Sequence, residues 1–187
     1  MNAVQQDESE LVRKSAAADK SAFAELVAQH RSYVVALAYR LSGDTALAED
    51  IAQDVFVRVW QALPGFRAQS TFRTWLYRMT SNTAVDQLRR ARPTTDVGKL
   101  PLSTTGSLEG QAMRDEQRQV VQKAILRLPL NVRLALILQE YEGLSYQEAA
   151  SVLAIPIGTV MSRLNYARER LRQDLAWYIQ SCSGGEQ

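Results

Sequence analysis

Apolar residues recur along this chain three and four positions apart, and the alternation typical of strands is hard to find. Residues 7–17 can form a short helix with Leu11 and Val12 inward. Asp19 is placed to cap a second helix, whose apolar positions Phe23, Leu26, Val27, Val34, Leu37, Ala38 and Leu41 keep the helical period to Ser42. Gly43 ends it, and Asp44 caps a third helix over 44–63 with Ile51, Val55, Val59 and Ala62 inward. Pro64-Gly65 breaks that helix, and Ser70 or Thr71 restarts the pattern over 72–90. Residues 93–112 change character to Pro, Thr, Ser and Gly, which reads as a flexible linker. Beyond it, helices over 113–128 and 130–141 are separated by Pro129. Val120, Val121, Ile125 and Leu128 supply the apolar contacts of the first, and Leu134, Ile137, Leu138 and Tyr141 those of the second. The expected fold is all-α: two small helical domains, 1–92 and 113–178, joined by the linker and followed by a frayed tail, 179–187.

The sharpest local pattern lies in the second domain. Ser145 and Glu148 have the spacing of a capping box, which starts a short helix just after Gly143. Ala149, Val152 and Leu153 form its apolar side. Pro156 is welcome only in a first turn, so another helix begins beside it. Val160, Leu164, Ala167 and Leu171 face the core, while Thr159, Ser162, Arg163, Tyr166 and Arg170 fall on the other side, with Arg168 toward its flank. Two short helices around a tight turn make a helix-turn-helix, whose second helix enters the major groove by its N-terminal part. The plainer alternative is an antiparallel helix pair with a solvated basic face.

Composition narrows the function. The net charge is only +2, too small to hold the whole molecule on DNA, so a nucleic-acid role must rest on local patches or on a partner. One cysteine, Cys182, rules out an internal disulfide framework and suits a reducing cytoplasm. The lone His30 reads as an ordinary helix-surface residue, and no Cys/His cluster suggests zinc. No apolar run reaches membrane-spanning length. No nucleophile–base pair or phosphate-cradling glycine loop points to an enzyme, and no cofactor is implied.

Two stretches of the first domain carry candidate chemistry. On the third helix Asp50, Asp54 and Arg58 form a charged line, with Gln53, Val57 and Trp60 on the line beside it. Large apolar groups beside carboxylates suit a protein-docking face, but spacing alone equally allows two buried stripes and a solvated edge. From Arg67 to Arg92 six arginines stand against one acid, Asp86, with Phe66, Phe72, Trp75 and Tyr77 interleaved. Guanidiniums hold phosphates and aromatic faces stack on bases, a combination suited to single-stranded nucleic acid. Arg78, Asn82 and Asp86 line one face, where Asn82 can reach a base edge.

Taken in order, the segments 48–60, 72–78, 82–84, 143–150 and 158–164 resemble the extracytoplasmic-function sigma factors of bacterial RNA polymerase, over nearly the whole chain. The resemblance implies a first domain that binds the β′ clamp helices through Asp50, Gln53, Asp54, Phe56, Val57, Arg58 and Trp60. It implies that Phe66, Arg67, Ser70, Thr71, Arg73, Trp75, Arg78, Asn82, Arg89 and Arg90 recognise the minus-ten element as a melted strand with a flipped base. Thr159, Met161, Ser162, Arg163, Asn165, Tyr166 and Arg168 would read the minus-thirty-five element as duplex. The partners implied are core RNA polymerase (β′ and β subunits), promoter DNA and an anti-sigma factor, in the cytoplasm and without membrane insertion. Met161 departs from the family pattern, which often has Arg or Lys there, and Asn165-Tyr166 stands where a basic residue is common. The runner-up is a free-standing helix-turn-helix regulator that works without polymerase.

Overall fold

In the first half of the chain, caps set the helix boundaries. The structure, a computed structural model, describes residues 3–90 and 108–183. After α1 (Ala3–Ala16), Asp19 Oδ1 accepts from the backbone N–H of Ser21 and Ala22 at 2.9 and 3.1 Å and starts α2 (Lys20–Ser42). Gly43, at φ 73°, closes α2 by donating its N–H to Tyr39 O at 2.7 Å, a left-handed position that glycine takes without a Cβ penalty. Asp44 then accepts from Leu47 N at 3.0 Å and opens α3 (Thr45–Ala62). A short 3-10 turn at Leu63–Gly65 leads by way of a loop to α4 (Phe72–Arg90), capped by Thr71 Oγ1 on Thr74 N at 3.1 Å. Leu26, Val34, Leu37 and Leu41 from α2 meet Ile51, Val55 and Val59 from α3 and Leu76 and Ala84 from α4 in one core, with Leu11 and Val12 of α1 covering one side.

The chain divides into two compact units, Met1–Thr94 and Thr95–Gln187. In the second, α5 (Leu108–Leu126) begins inside the stretch expected to be linker; the rest of that stretch lies outside the described residues. α6 (Leu130–Leu136) runs on into a π-helical segment, Ile137–Tyr141, and stops at Gly143, φ 68°. This segment corrects the sequence pattern. Tyr141, expected inward on the α6 stripe, is exposed, because the wider turn of a π-helix shifts its last residues off the α-helical register. α7 (Tyr146–Leu153) carries the full capping box: Glu148 N donates to Ser145 Oγ at 3.2 Å and Ser145 N to Glu148 Oε2 at 2.8 Å. The Ser145 hydroxyl, which donates to Glu148 Oε2 at 2.7 Å, and then the Ser145 N–H hold the Glu148 carboxyl below its usual pKa. The turn passes through Ala154 at φ 52°, ψ 45°, a left-handed conformation that costs a Cβ-bearing residue about 1 kcal/mol. α8 (Ile157–Ser183) continues past residue 178, so 179–183, expected in the tail, are helical. Val160, Leu164 and Ala167 are fully buried against Ala149 and Val152 of α7 and Leu134 and Leu138 below. The half-buried Arg133 caps the end of α5: its Nη2 donates to Leu126 O and, at 3.1 Å, to Leu128 O, and burial pushes its pKa down.

Candidate functional site

On the outer face of α3, the line of Gln53, Val57 and Trp60 is not a second buried stripe. Asp50, Gln53 and Val57 are exposed, and Val57 keeps 52% of its surface in a region where a core stripe would have none. Beside them lies an open groove of about 620 Å³ between α2 and α3, lined by Phe23, Val27, Phe56, Val57 and Trp60. Trp60 is half-buried, its ring 4.8 Å from that of Phe23, and Phe56 forms the floor. The Arg31–Glu49 ion pair, at 2.5 Å, and Asp50 stand at the rim. Phe23 and Val27 read as plain core in the sequence; their place in the groove follows from how α2 crosses α3, which one helix's period does not carry. Asp54 and Arg58 do not line this groove. Asp54 accepts from Gln87 Nε2 at 2.5 Å and Arg58 sits 3.4 Å from Asp86, so both join α3 to α4.

The loop before α4 holds an aromatic cluster. Phe66 lies 5.0 Å from Trp75 and 6.2 Å from Phe72, ring centre to ring centre. Two of the four rings expected to stack on bases are buried. Phe72 and Tyr77 are 4% and 2% exposed, so their faces are spent in the core and cannot stack on bases. Phe66 and Trp75 remain half-buried at the surface. Arg67, Arg73, Arg78, Asn82, Arg89 and Arg90 are exposed, Arg89 and Arg90 at the far end of α4, while Ser70 and Thr71 shape its start. Arg73 is oriented from inside the unit: its Nε donates to Tyr77 Oη at 3.0 Å and its guanidinium lies 5.7 Å from the Tyr33 ring centre.

His30 is the second correction. It is 8% exposed, not on the surface, with Nε2 3.0 Å from Glu8 Oε1 of α1 and its ring 5.2 Å from Phe72 of α4. Burial pushes its pKa down, Glu8 opposes that, and the charge of Arg73 adds to the lowering.

On α8, Met161, Ser162, Asn165 and Tyr166 are exposed, and Thr159 and Arg163 are half-exposed. Arg168 is committed elsewhere: Nη2 donates to Glu140 Oε1 at 3.0 Å and Gln139 Oε1 at 3.3 Å. Hydrogen bonds to Tyr146 and Glu140 hold it above its usual pKa. Arg163 Nη1 lies 3.4 Å from Asn131 O.

The two units match two family models. Residues 26–94 match Sigma-70 region 2, and residues 118–171 match Sigma-70 region 4. The chain is 38% identical over 183 residues to the RNA polymerase sigma-H factor of Pseudomonas aeruginosa, covering 91% of this chain and 95% of that one. It is 36% identical over 175 residues to the ECF RNA polymerase sigma-E factor of Escherichia coli K12, covering 86% and 90%. The chain belongs to the extracytoplasmic-function sigma factors of bacterial RNA polymerase. Sigma factors of this family have been solved with their antagonists. One is the sigma factor RpoE in complex with the anti-sigma factor NepR from Bartonella quintana, at 27% identity, with a TM-score of 0.66, over 82% of this chain and 96% of that one. In this sigma factor the α3 groove and the aromatic loop fall within the region 2 match, and the helix-turn-helix within the region 4 match. Among the described residues no His, Cys, Asp and Glu group in a way that can hold a metal, and no helix is long and apolar enough to cross a membrane.

Proposed function

We propose that this sigma factor docks on the β′ clamp helices of core RNA polymerase through the outer face of α3 and brings the enzyme to promoters. The observation that carries this is Val57, exposed beside an aromatic-lined groove with the carboxylate of Asp50 at its rim. An apolar centre with a charged border is the anatomy of a protein interface. Gln53 and Trp60 belong to the same contact, and Phe56 supports it from below; Asp54 and Arg58 act by fixing α3 on α4.

Phe66 and Trp75 offer the stacking surface for a melted minus-ten strand, with Arg67, Arg73, Arg78, Arg89 and Arg90 on its phosphates and Asn82 at a base edge. A flipped base costs a few kcal/mol of unstacking, which such a cluster must offset. α8 reads the minus-thirty-five element. An anti-sigma factor, of the kind bound to the solved relative, would regulate the chain by covering the α3 surface. The free-standing regulator lacks support: α8 is the single duplex-reading helix among the described residues and the net charge is +2.

Asp50→Lys and Val57→Glu each change an exposed side chain, so the fold should survive. The expected outcome is a loss of co-elution with core polymerase of tenfold or more in affinity, on the order of 1.4 kcal/mol, with unchanged helix content by circular dichroism. Core binding at the wild-type level in both variants would return this face to solvent and sink the docking assignment.

A further inference from the structure

α8 meets the DNA with an unusual set of side chains. Ile157, Met161 and Asn165 follow one another at four-residue steps and so share a face. Ile157 and Met161 are 48% and 47% exposed in the first turns of the helix, the part that reaches base edges. The groups that ordinarily read guanine are engaged nearby: Arg163 with Asn131 O and Arg168 with Glu140 and Gln139. Ser162 spends its proton on Thr159 O at 3.0 Å.

Gly158, between them in sequence, adds an independent observation. It sits in the first turn of α8 with no positive φ, and a Cβ placed there would meet nothing within 4 Å. Glycine in a helix interior costs about 0.5–1 kcal/mol relative to alanine, and less in a first turn. The space beside it is open, which would admit the close approach of a DNA backbone. The helix as a whole carries four arginines against two acids, a net charge that suits a polyanion, each arginine being already engaged within the protein.

The floor of the major groove presents one apolar group, the 5-methyl of thymine, and apolar side chains read it by contact. We infer that α8 reads its upstream element through thymine methyl groups, with Met161 and Ile157 as the contacting side chains. This rests on the assignment of α8 to the minus-thirty-five element and adds the base chemistry it selects. The promoter class so defined carries thymine, on either strand, where a helix with a cation at position 161 would take guanine.

The test uses holoenzyme assembled from the full chain and core polymerase. A promoter is selected by transcription from a library randomised in the upstream element. Each thymine of that element is then replaced singly by deoxyuridine, which removes the methyl and nothing else. One or two replacements should weaken promoter binding about fourfold, the order of effect expected for burying one methyl-sized group. With Met161→Ala, or the Ile157→Ala/Met161→Ala pair, the ratio between thymine and deoxyuridine should fall towards one. If base-pair changes upstream matter but no deoxyuridine does, methyl reading is wrong and the assignment of α8 stands. A ratio that persists in the double variant, or a Met161→Ala variant defective in core binding with the ratio intact, overturns it in favour of other contacts or a protein occupant. If no upstream change matters at all, the assignment of α8 falls as well.

Discussion

A single buried imidazole ties the first unit together. His30 stands between Glu8 of α1 and Phe72 of α4, with Tyr33 of its own helix 5.8 Å away, ring centre to ring centre, and Arg73 as the nearby cation. Its folded pKa lies below the ordinary value, chiefly through burial. Such a group is neutral in the native state and takes up a proton more readily when unfolded. The stability it contributes is therefore fully present above the unfolded pKa of about 6.5, and it is lost as pH falls from there through the folded value. Urea midpoints of the full chain should drop on acidification through that window, and His30→Gln should flatten the slope. An equal slope in both proteins would show that other groups carry the acid sensitivity. None of this was legible in the sequence, because the neighbours of His30 come from three helices and a lone histidine carries no periodic signal. The burial of Phe72 and Tyr77 is hidden for the same reason. Composition shows aromatic residues among arginines but not which rings the core consumes.

Helix boundaries were far more legible, since the groups that set them are local. Asp19, Asp44, Thr71 and the Ser145–Glu148 pair all cap where the sequence places a cap, and Gly43 stops α2 in the left-handed conformation that glycine suits. What escaped was geometry that no residue type announces: the π-helical segment that turns Tyr141 outward, the run of α8 to Ser183, and the crossing of α2 over α3 that opens the groove. Gly158 lies in the first turn of α8 with open space beside its Cα. Gly158→Ala relieves the backbone entropy of a helical glycine and adds a Cβ into open space. It should stabilise the second unit slightly in thermal unfolding, by less than the roughly 0.5–1 kcal/mol of a helix interior because the site is a first turn. Transcription that depends on the upstream element should fall at the same time. A variant that gains stability with transcription intact would mean that DNA does not approach the first turn of α8.

At the scale of the molecule, the division into two units was readable from the shift to Pro, Thr, Ser and Gly after Arg92, and the matched family models fall on either side of it. The division also limits what the chain can do alone. A single small DNA-reading module buries about 600–1,000 Å². The net charge of +2 adds little attraction, and several arginines of α8 are already paired within the protein. The surface proposed for the minus-ten strand needs DNA that is already open, and duplex promoter does not supply it. Free chain should therefore bind promoter duplex in the range typical of non-specific contact, with a dissociation constant of about 10⁻⁴–10⁻⁶ M at physiological salt. Held on one polymerase, the two units present each other's sites at a high effective concentration, and binding can tighten by about 10²–10⁴ with no new protein–DNA contact. A mobility shift with free chain, core enzyme and both together separates the contributions: only the mixture should give a stable promoter complex at physiological salt. Nanomolar binding by the chain alone would mean that one unit recognises the promoter unaided, and polymerase would then be a passenger on DNA that this protein had already found.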